Sequence, residues 1–282
     1  MENPVIALMT DFGNEDFFVA SLKGVIAGIN PDVRIIDITH HVPSFDILAG
    51  SFILSAAYMY FPAWTIFLAV VDPGVGSSRK ICLVETAKYY FIAPDNGLLS
   101  MILEEEDVVQ IREVANPEYF LPDCSRTFEA RDKMAPAAAW LSKGVPSEKF
   151  GPELQSIHRE KLNKPQLKGD VLVGSIIYAD KFGNLITNIP AAWLEQIISD
   201  PEDAPVSVLL DSLHQDKIFS TKPDMHEMVY RRTYGSAGKE ELFILSGSLG
   251  LLELAVREGS AAERLQAGLG DRLTVSKKYD KN

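Results

Sequence analysis

Through the first half of the chain, short apolar runs alternate with segments whose apolar residues recur at helical spacing, the pattern of a sheet covered by helices. Val5 to Met9 reads as a buried strand, and Phe17 to Ile29 follows as a helix with Val19, Leu22, Val25 and Ile26 on one stripe, stopped by Asn30-Pro31. Val33 to Ile38 is the next strand, and Ser44 or Asp46 caps a helix from Ile47 to Tyr60 that Pro62 closes. Strands over Thr65 to Val71, Ile81 to Thr86 and Tyr89 to Ile92 and helices over Leu98 to Glu105 and Ala130 to Ser142 complete an α/β domain spanning 1–163.

Around Lys161 to Gly169 the sequence turns polar and loses its apolar period, which marks a boundary. A smaller domain over 168–282 carries short strand runs separated by turn residues: Val171 to Tyr178, Leu185 to Ile189, Val206 to Leu210, Lys217 to Thr221, Glu241 to Leu245 and Arg272 to Val275. That spacing favours a small barrel or a sandwich, and a helix is expected from Leu251.

Composition narrows the functional classes. At 46% hydrophobic and 23% charged residues, the 282-residue chain can bury cores of globular size. Its 39 acidic against 27 basic residues give a net charge of −12, which repels a phosphate backbone, so nucleic acid is not an expected partner. No apolar run reaches the roughly 18 residues of a membrane span, and the opening residues lack a secretory pattern, so a soluble cytoplasmic protein is expected. The two cysteines, Cys82 and Cys124, lack zinc or disulfide spacing and read as buried thiols. No histidines cluster as metal ligands, and no metal is expected.

Several stretches carry residue types suited to chemistry. Asp11 and Asp16 flank Phe12-Gly13 directly after the first strand, where α/β domains tend to bind ligands. A carboxylate there would accept both hydroxyls of a vicinal diol, although capping of the following helix accounts for the same residues. Asp72-Pro73-Gly74-Val75-Gly76-Ser77-Ser78-Arg79 combines a carboxylate, glycines, hydroxyls and a guanidinium after a strand, without the pattern of a P-loop or a dinucleotide fingerprint. An ion pair between Asp72 and Arg79 that stabilises a turn is the plainer account of that loop. Thr127-Phe128-Glu129-Ala130-Arg131-Asp132 opens a helix with carboxylates near its N-terminus, which capping alone would explain. Asp180-Lys181-Phe182-Gly183-Asn184 is a turn whose amide and aromatic would suit a heterocycle's edge and face, and equally an ordinary turn. Ser246-Gly247-Ser248-Leu249-Gly250 would offer backbone amides and hydroxyls to a carboxylate ahead of the expected helix.

Together, Met9-Thr10-Asp11-Phe12-Gly13, Asp37-Ile38-Thr39-His40, the Asp72 to Arg79 loop, Ala93-Pro94-Asp95-Asn96-Gly97-Leu98-Leu99 and Asp180 to Asn188 resemble, in order, the motifs of the S-adenosyl-L-methionine (SAM) hydroxide adenosyltransferases. These SAM hydrolases are related to the SAM-dependent fluorinases and chlorinases. The resemblance runs from Val5 to about Val275. It implies an N-terminal α/β domain followed by a C-terminal β-barrel-like domain, in a homotrimer whose sites lie between the N-domain of one subunit and the C-domain of the next. It further implies attack of water or hydroxide on the ribose C5′ of SAM, giving adenosine and methionine, with SAM as substrate and no cofactor. By motif, Asp11 would hold the ribose diol and Asp16 the methionine amine; Phe45 would flank the ligand. Phe182, Asn184 and Tyr234 would frame the adenine beside Asp180, and Ser248 would meet the methionine carboxylate.

Asp72 and Arg79 mark the hydrolase branch, because the halogenases lack this aspartate, and a carboxylate beside the nucleophile would repel a halide. Where the hydrolases typically show Thr-Phe-His-Gly-Arg-Asp, however, this chain has Glu129 in place of the histidine that completes their triad, and Leu249-Gly250-Leu251 stands where halogenases carry Arg-Gly-Tyr. Asp72, Arg79 and Glu129 are therefore the expected catalytic set, with Arg79 or Arg131 needed to neutralise the carboxylates. Two rival readings follow from the departure: a non-catalytic SAM or adenosine binder, and an enzyme of the same scaffold with another nucleophile.

Overall fold

Val5–Thr10 (β1), apolar as far as its last residue, and Ile66–Val70 (β3), apolar throughout, are buried at every position, the signature of central parallel strands covered on both faces. In the computed structural model, which describes residues 4–198, 204–211 and 224–278, the chain divides into two units, Met1–Glu160 and Lys161–Asn282.

In the first unit, β1 is followed by helix α1 (Phe18–Ile29), β2 (Arg34–Thr39), α2 (Ile47–Tyr58) and β3, and then by β4 (Ile81–Thr86), β5 (Tyr90–Pro94), the short α3 (Ile102–Glu105) and β6 (Val108–Glu113). The sheet order is β2-β1-β3-β5-β4-β6, with β4 antiparallel to both neighbours and the remaining pairs parallel. A π-helical turn, Ala130–Met134, leads into α4 (Ala135–Ser142).

Strand alternation divides the core. Ile6, Leu8, Ile66 and Leu68 pack with Leu22 and Ile26 of α1 and with Ala137, Ala138 and Leu141 of α4. On the other face, Phe67 stacks on Phe91 and meets Tyr58 of α2 edge-on. Asp46 caps α2, its carboxylate accepting the Ala49 N–H at 2.9 Å.

Because β2 lies on one side of β1 and β3 on the other, the chain reverses its winding direction between β1 and β3. A crevice opens at the carboxyl ends of strands at such a point, and it is where ligands bind in doubly wound sheets. The register Thr10↔Val70 brings Asp11 and Asp72 to this edge.

The second unit contains β7 (Gln166–Lys168), β8 (Val171–Ala179), β9 (Leu185–Pro190), β10 (Pro205–Asp211), β11 (Asp224–Tyr230), β12 (Leu242–Ser246), β13 (Leu251–Val256) and β14 (Arg272–Lys277). Its sheet runs β14-β10-β11-β12-β13-β9-β8-β7, and pairing of β14 with β8 closes it into a barrel, as the resemblance implied.

The structure corrects several sequence expectations. Leu251–Val256 is a strand paired with β12 and β9, not a helix, because a short apolar run buried from both sides carries no period that distinguishes the two. Residues 247–250 are therefore a hairpin turn, and no helix N-terminus lies behind Ser248. Strands β6, β7 and β11 were not anticipated, since their burial patterns are mixed. The helix expected from Leu98 is confined to Ile102–Glu105. Cys82 is buried as expected, but Cys124 is exposed. The strand expected over Lys217 to Thr221 lies outside the described residues. Among the described residues, no helix is long and apolar enough to cross a membrane.

Candidate active site

The loop between β3 and β4 folds back so that Arg79 reaches Asp72. Its Nε lies 2.9 Å from each carboxylate oxygen and its NH2 group contacts Oδ2. Gly76 permits this turn: its φ is +79°, and a Cβ there would come within 2.7 Å of the Arg126 carbonyl. The same guanidinium meets Glu129 Oε2 at 2.6 Å, and Lys133 Nζ holds the other Glu129 oxygen at 2.6 Å. Asp72, Arg79, Glu129 and Lys133 thus form one chain of alternating charge. The Asp72, Arg79 and Glu129 side chains are at most 10% exposed, so their mutual attraction is little screened.

Burial alone would raise the Glu129 carboxyl, yet Lys133 and Arg79 more than offset it and hold the group below its usual range. Burial likewise works against the Arg79 charge, and the two carboxylates restore it and push its pKa up. The contact between Glu129 Oε2 and Arg79 is an ion contact without hydrogen-bond alignment, which leaves this buried oxygen able to accept a further hydrogen bond. Arg131 does not neutralise this pair. It bonds both oxygens of Asp132, one of which also accepts the Ser125 N–H at 2.7 Å, and stacks over the Phe128 ring at 5.0 Å. Glu129 and Lys133 stand four residues apart, the helical spacing that places two side chains on one face.

A cavity of about 400 Å³ lies beside this chain, lined by Asp11, Phe12, Phe45, Asp72, Phe128 and Glu129 among others. Asp11 accepts the Phe45 N–H at 3.0 Å through one oxygen. Phe45 itself is exposed and has φ 67°, a left-handed conformation strained for an aromatic residue. The Asp37 to His40 motif supports the Asp11 loop from behind: buried His40 bonds Thr10 Oγ1 through Nδ1 at 2.9 Å, its Nε2 lies 3.1 Å from Asp37 Oδ1 without hydrogen-bond alignment, and its carbonyl accepts the Gly13 N–H. The turn after β5 holds both ends of the Asp72 to Arg79 loop, with Asn96 Nδ2 donating to the Val71 carbonyl at 2.8 Å and the Asp95 N–H to the Lys80 carbonyl at 2.9 Å. Asp16 is exposed and does not line the cavity.

In the second unit, Asp180 builds the Phe182 turn. Its Oδ1 accepts the backbone N–H of Phe182 and Asn184, and its Oδ2 accepts Asn184 Nδ2 at 2.9 Å. Asp180, Phe182, Asn184 and Tyr234 line a cavity of about 710 Å³. Phe182 is 66% exposed, so its face is open to a planar partner. The Tyr234 hydroxyl donates to Glu253 at 2.8 Å. Ser248 is exposed in the hairpin turn and does not line this cavity.

The sequence reading missed Lys133, the bracing role of Asn96, and Glu253. A lysine four residues after Glu129 was a legible signal, as was a lone carboxylate inside the apolar run Leu251 to Val256. Among the described residues, no group of three His, Cys, Asp or Glu side chains gathers as a metal site.

A doubly wound unit carrying a carboxylate–guanidinium–carboxylate cluster at its switch point, joined in sequence to a closed barrel, defines a narrow structural class. Residues 6–151 match the SAM hydroxide adenosyltransferase N-terminal domain and residues 174–274 its C-terminal domain; the chain belongs to this family of enzymes. It is 33% identical over 278 residues to the (R)-S-adenosyl-L-methionine hydrolase of Salinispora arenicola, covering 97% of this chain and 98% of the relative. The enzyme of that name from Thermus thermophilus is 32% identical, with 96% and 98% covered. A fluorinase of Actinopolyspora mzabensis is 27% identical, with 97% and 98% covered. The crystal structure of an uncharacterized conserved protein from Thermotoga maritima is similar at TM-score 0.87 and 36% identity, covering 96% of this chain and all of that one (100%).

Proposed function

We propose that this protein hydrolyses S-adenosyl-L-methionine at the ribose C5′, giving adenosine and L-methionine. The observation that carries the reading is the Arg79 guanidinium held between Asp72 and Glu129 beside the cavity that Asp11 also lines. The oxygen of a water molecule forms a bond to C5′ as the C5′–sulfur bond breaks, and the electron pair of that bond neutralises the sulfonium. Methionine leaves as a thioether that needs no protonation. One proton of the attacking water passes to a carboxylate of the cluster or to solvent, and the other remains on the 5′-hydroxyl of adenosine. Catalysis then reduces to alignment and partial desolvation of the nucleophile, which a fixed ion cluster at the mouth of an aromatic-lined cavity supplies. The aromatic residues Phe12, Phe45 and Phe128 that line the cavity suit a sulfonium, a cation–π attraction of about 0.5–2 kcal/mol that fades as the charge is lost.

In this reading Asp11 binds the ribose diol with the oxygen that Phe45 leaves free, and Asp16 the methionine amine. Phe182, Asn184 and Tyr234 hold the adenine and Ser248 the methionine carboxylate. The assembly in this reading is the homotrimer that the family resemblance implies, in which the first unit of one subunit meets the second unit of its neighbour. Because SAM is an intracellular metabolite, the enzyme is assigned to the cytoplasm. Replacing Asp72 by Ala is the direct test: SAM binding by calorimetry should persist while turnover falls, and unchanged turnover would remove Asp72 from the mechanism.

A second reading has one observation in its favour, that both oxygens of Glu129 are already engaged by cations. The protein would then bind SAM without cleaving it, and intact SAM recovered from the complex after hours would identify that case.

A further inference from the structure

Asp180, Asn184, Tyr234 and Glu253 form one hydrogen-bonded chain with a carboxylate at each end. A carboxylate only accepts, so the two ends dictate the direction of every bond between them. Asn184 must turn its amide nitrogen toward Asp180, at 2.9 Å, and that nitrogen also faces the Tyr234 hydroxyl oxygen at 3.5 Å. Tyr234 gives its single proton to Glu253 Oε2 at 2.8 Å. What remains for a ligand in the cavity is Asn184 Oδ1 and a lone pair on Tyr234, beside Asp180: an edge made of acceptors.

Glu253 is built into place. It is 6% exposed, and the turn above it carries Gly247, where a Cβ would lie 1.7 Å from Glu253 Oε1. Burial and the neighbouring carboxylates push the Tyr234 phenol up, so it keeps the proton it donates.

We propose that Glu253 is a positioning residue that fixes the Tyr234 proton and so makes this edge select a base bearing an exocyclic amino group, a 6-aminopurine, over its 6-oxo counterpart. The inference rests on the reading of this cavity as the adenine site. An exocyclic amine donates to Asn184 Oδ1, whereas a 6-oxo group sets acceptor against acceptor and leaves both unpaired.

The test compares adenosine and inosine binding, by calorimetry, to the wild-type protein and to Glu253→Gln. Wild type should prefer adenosine by roughly 10- to 100-fold, the scale of one well-placed base-edge contact. In Glu253→Gln, an amide of equal size can donate to the Tyr234 oxygen and release the phenol proton toward the ligand. The preference should shrink at least about 5-fold, mainly through tighter inosine binding. Equal weakening of both nucleosides, with the ratio unchanged, would reduce Glu253 to a structural residue and overturn the proposal. If that variant does not fold, Tyr234→Phe removes the hydroxyl itself, and an unchanged ratio there overturns the proposal equally. Wild-type protein that binds both nucleosides alike overturns this inference alone. Wild-type protein that binds neither nucleoside nor SAM overturns the adenine-site reading and the inference with it.

Discussion

Lys133 Nζ stands 2.6 Å from Glu129 Oε1 across a π-helical turn, and this pairing makes a second buried carboxylate tolerable beside Asp72. Without Lys133, Arg79 would face two buried carboxylates alone. Replacing Lys133 by Met should therefore destabilise the protein by about 1–3 kcal/mol in urea unfolding, since it strands part of a buried charge. A change below about 0.5 kcal/mol would show that Glu129 relaxes into solvent.

Acid stability should carry the same signature. Burial raises the Glu129 and Asp132 carboxyls, but Lys133 and Arg79 in one case, and Arg131 and the Ser125 N–H in the other, leave both below their ordinary values. A group whose folded pKa is depressed contributes stability above its unfolded pKa and loses it as pH falls through the folded value. The melting temperature of the wild type should fall steeply below about pH 4. In Glu129→Gln the fall should be shallower; parallel curves for the two proteins would remove Glu129 from the linkage.

Asn96 should matter to catalysis more than to binding. Its amide fixes the Val71 carbonyl, one residue before Asp72, and Asn96 itself does not line the cavity. Asn96→Ala should lower kcat by about 10- to 100-fold through misalignment of the cluster, with the KM for SAM within about 3-fold. A raised KM with kcat retained would contradict this.

Halide should not replace water. A carboxylate about 4 Å from a halide costs roughly 4 kcal/mol at the dielectric of a protein surface, and Arg79 is already shared between Asp72 and Glu129. Incubation with SAM and about 1 M chloride should yield chlorinated nucleoside below roughly 1% of the adenosine formed. Chlorinated product as a major species would refute the assignment of the ion cluster to the nucleophile.

The sequence made the central strands legible, because β1 and β3 are continuous apolar runs and their carboxyl ends carry Asp11 and Asp72. The Asp72 to Arg79 pairing was also readable, as a charge pair closing a glycine-rich turn. β13 was not: Leu251 to Val256 has no distinguishing period, and only pairing with β9 and β12, distant in the chain, makes it a strand. That error hid Glu253, whose significance depends on Tyr234 approaching from another element. Asn96 was quoted within a motif, but its partner Val71 lies 25 residues away, and no local rule connects them.

The measurement that bears most directly on the account is incubation of the purified protein with SAM in chloride-free, oxygen-18-labelled water, followed by liquid chromatography with mass detection. Methionine together with adenosine carrying the label at its 5′ oxygen is the predicted result, and would establish hydrolysis at C5′ with Glu129 in place. SAM recovered bound and intact would contradict it, leaving a scaffold that holds its ligand without cleaving it.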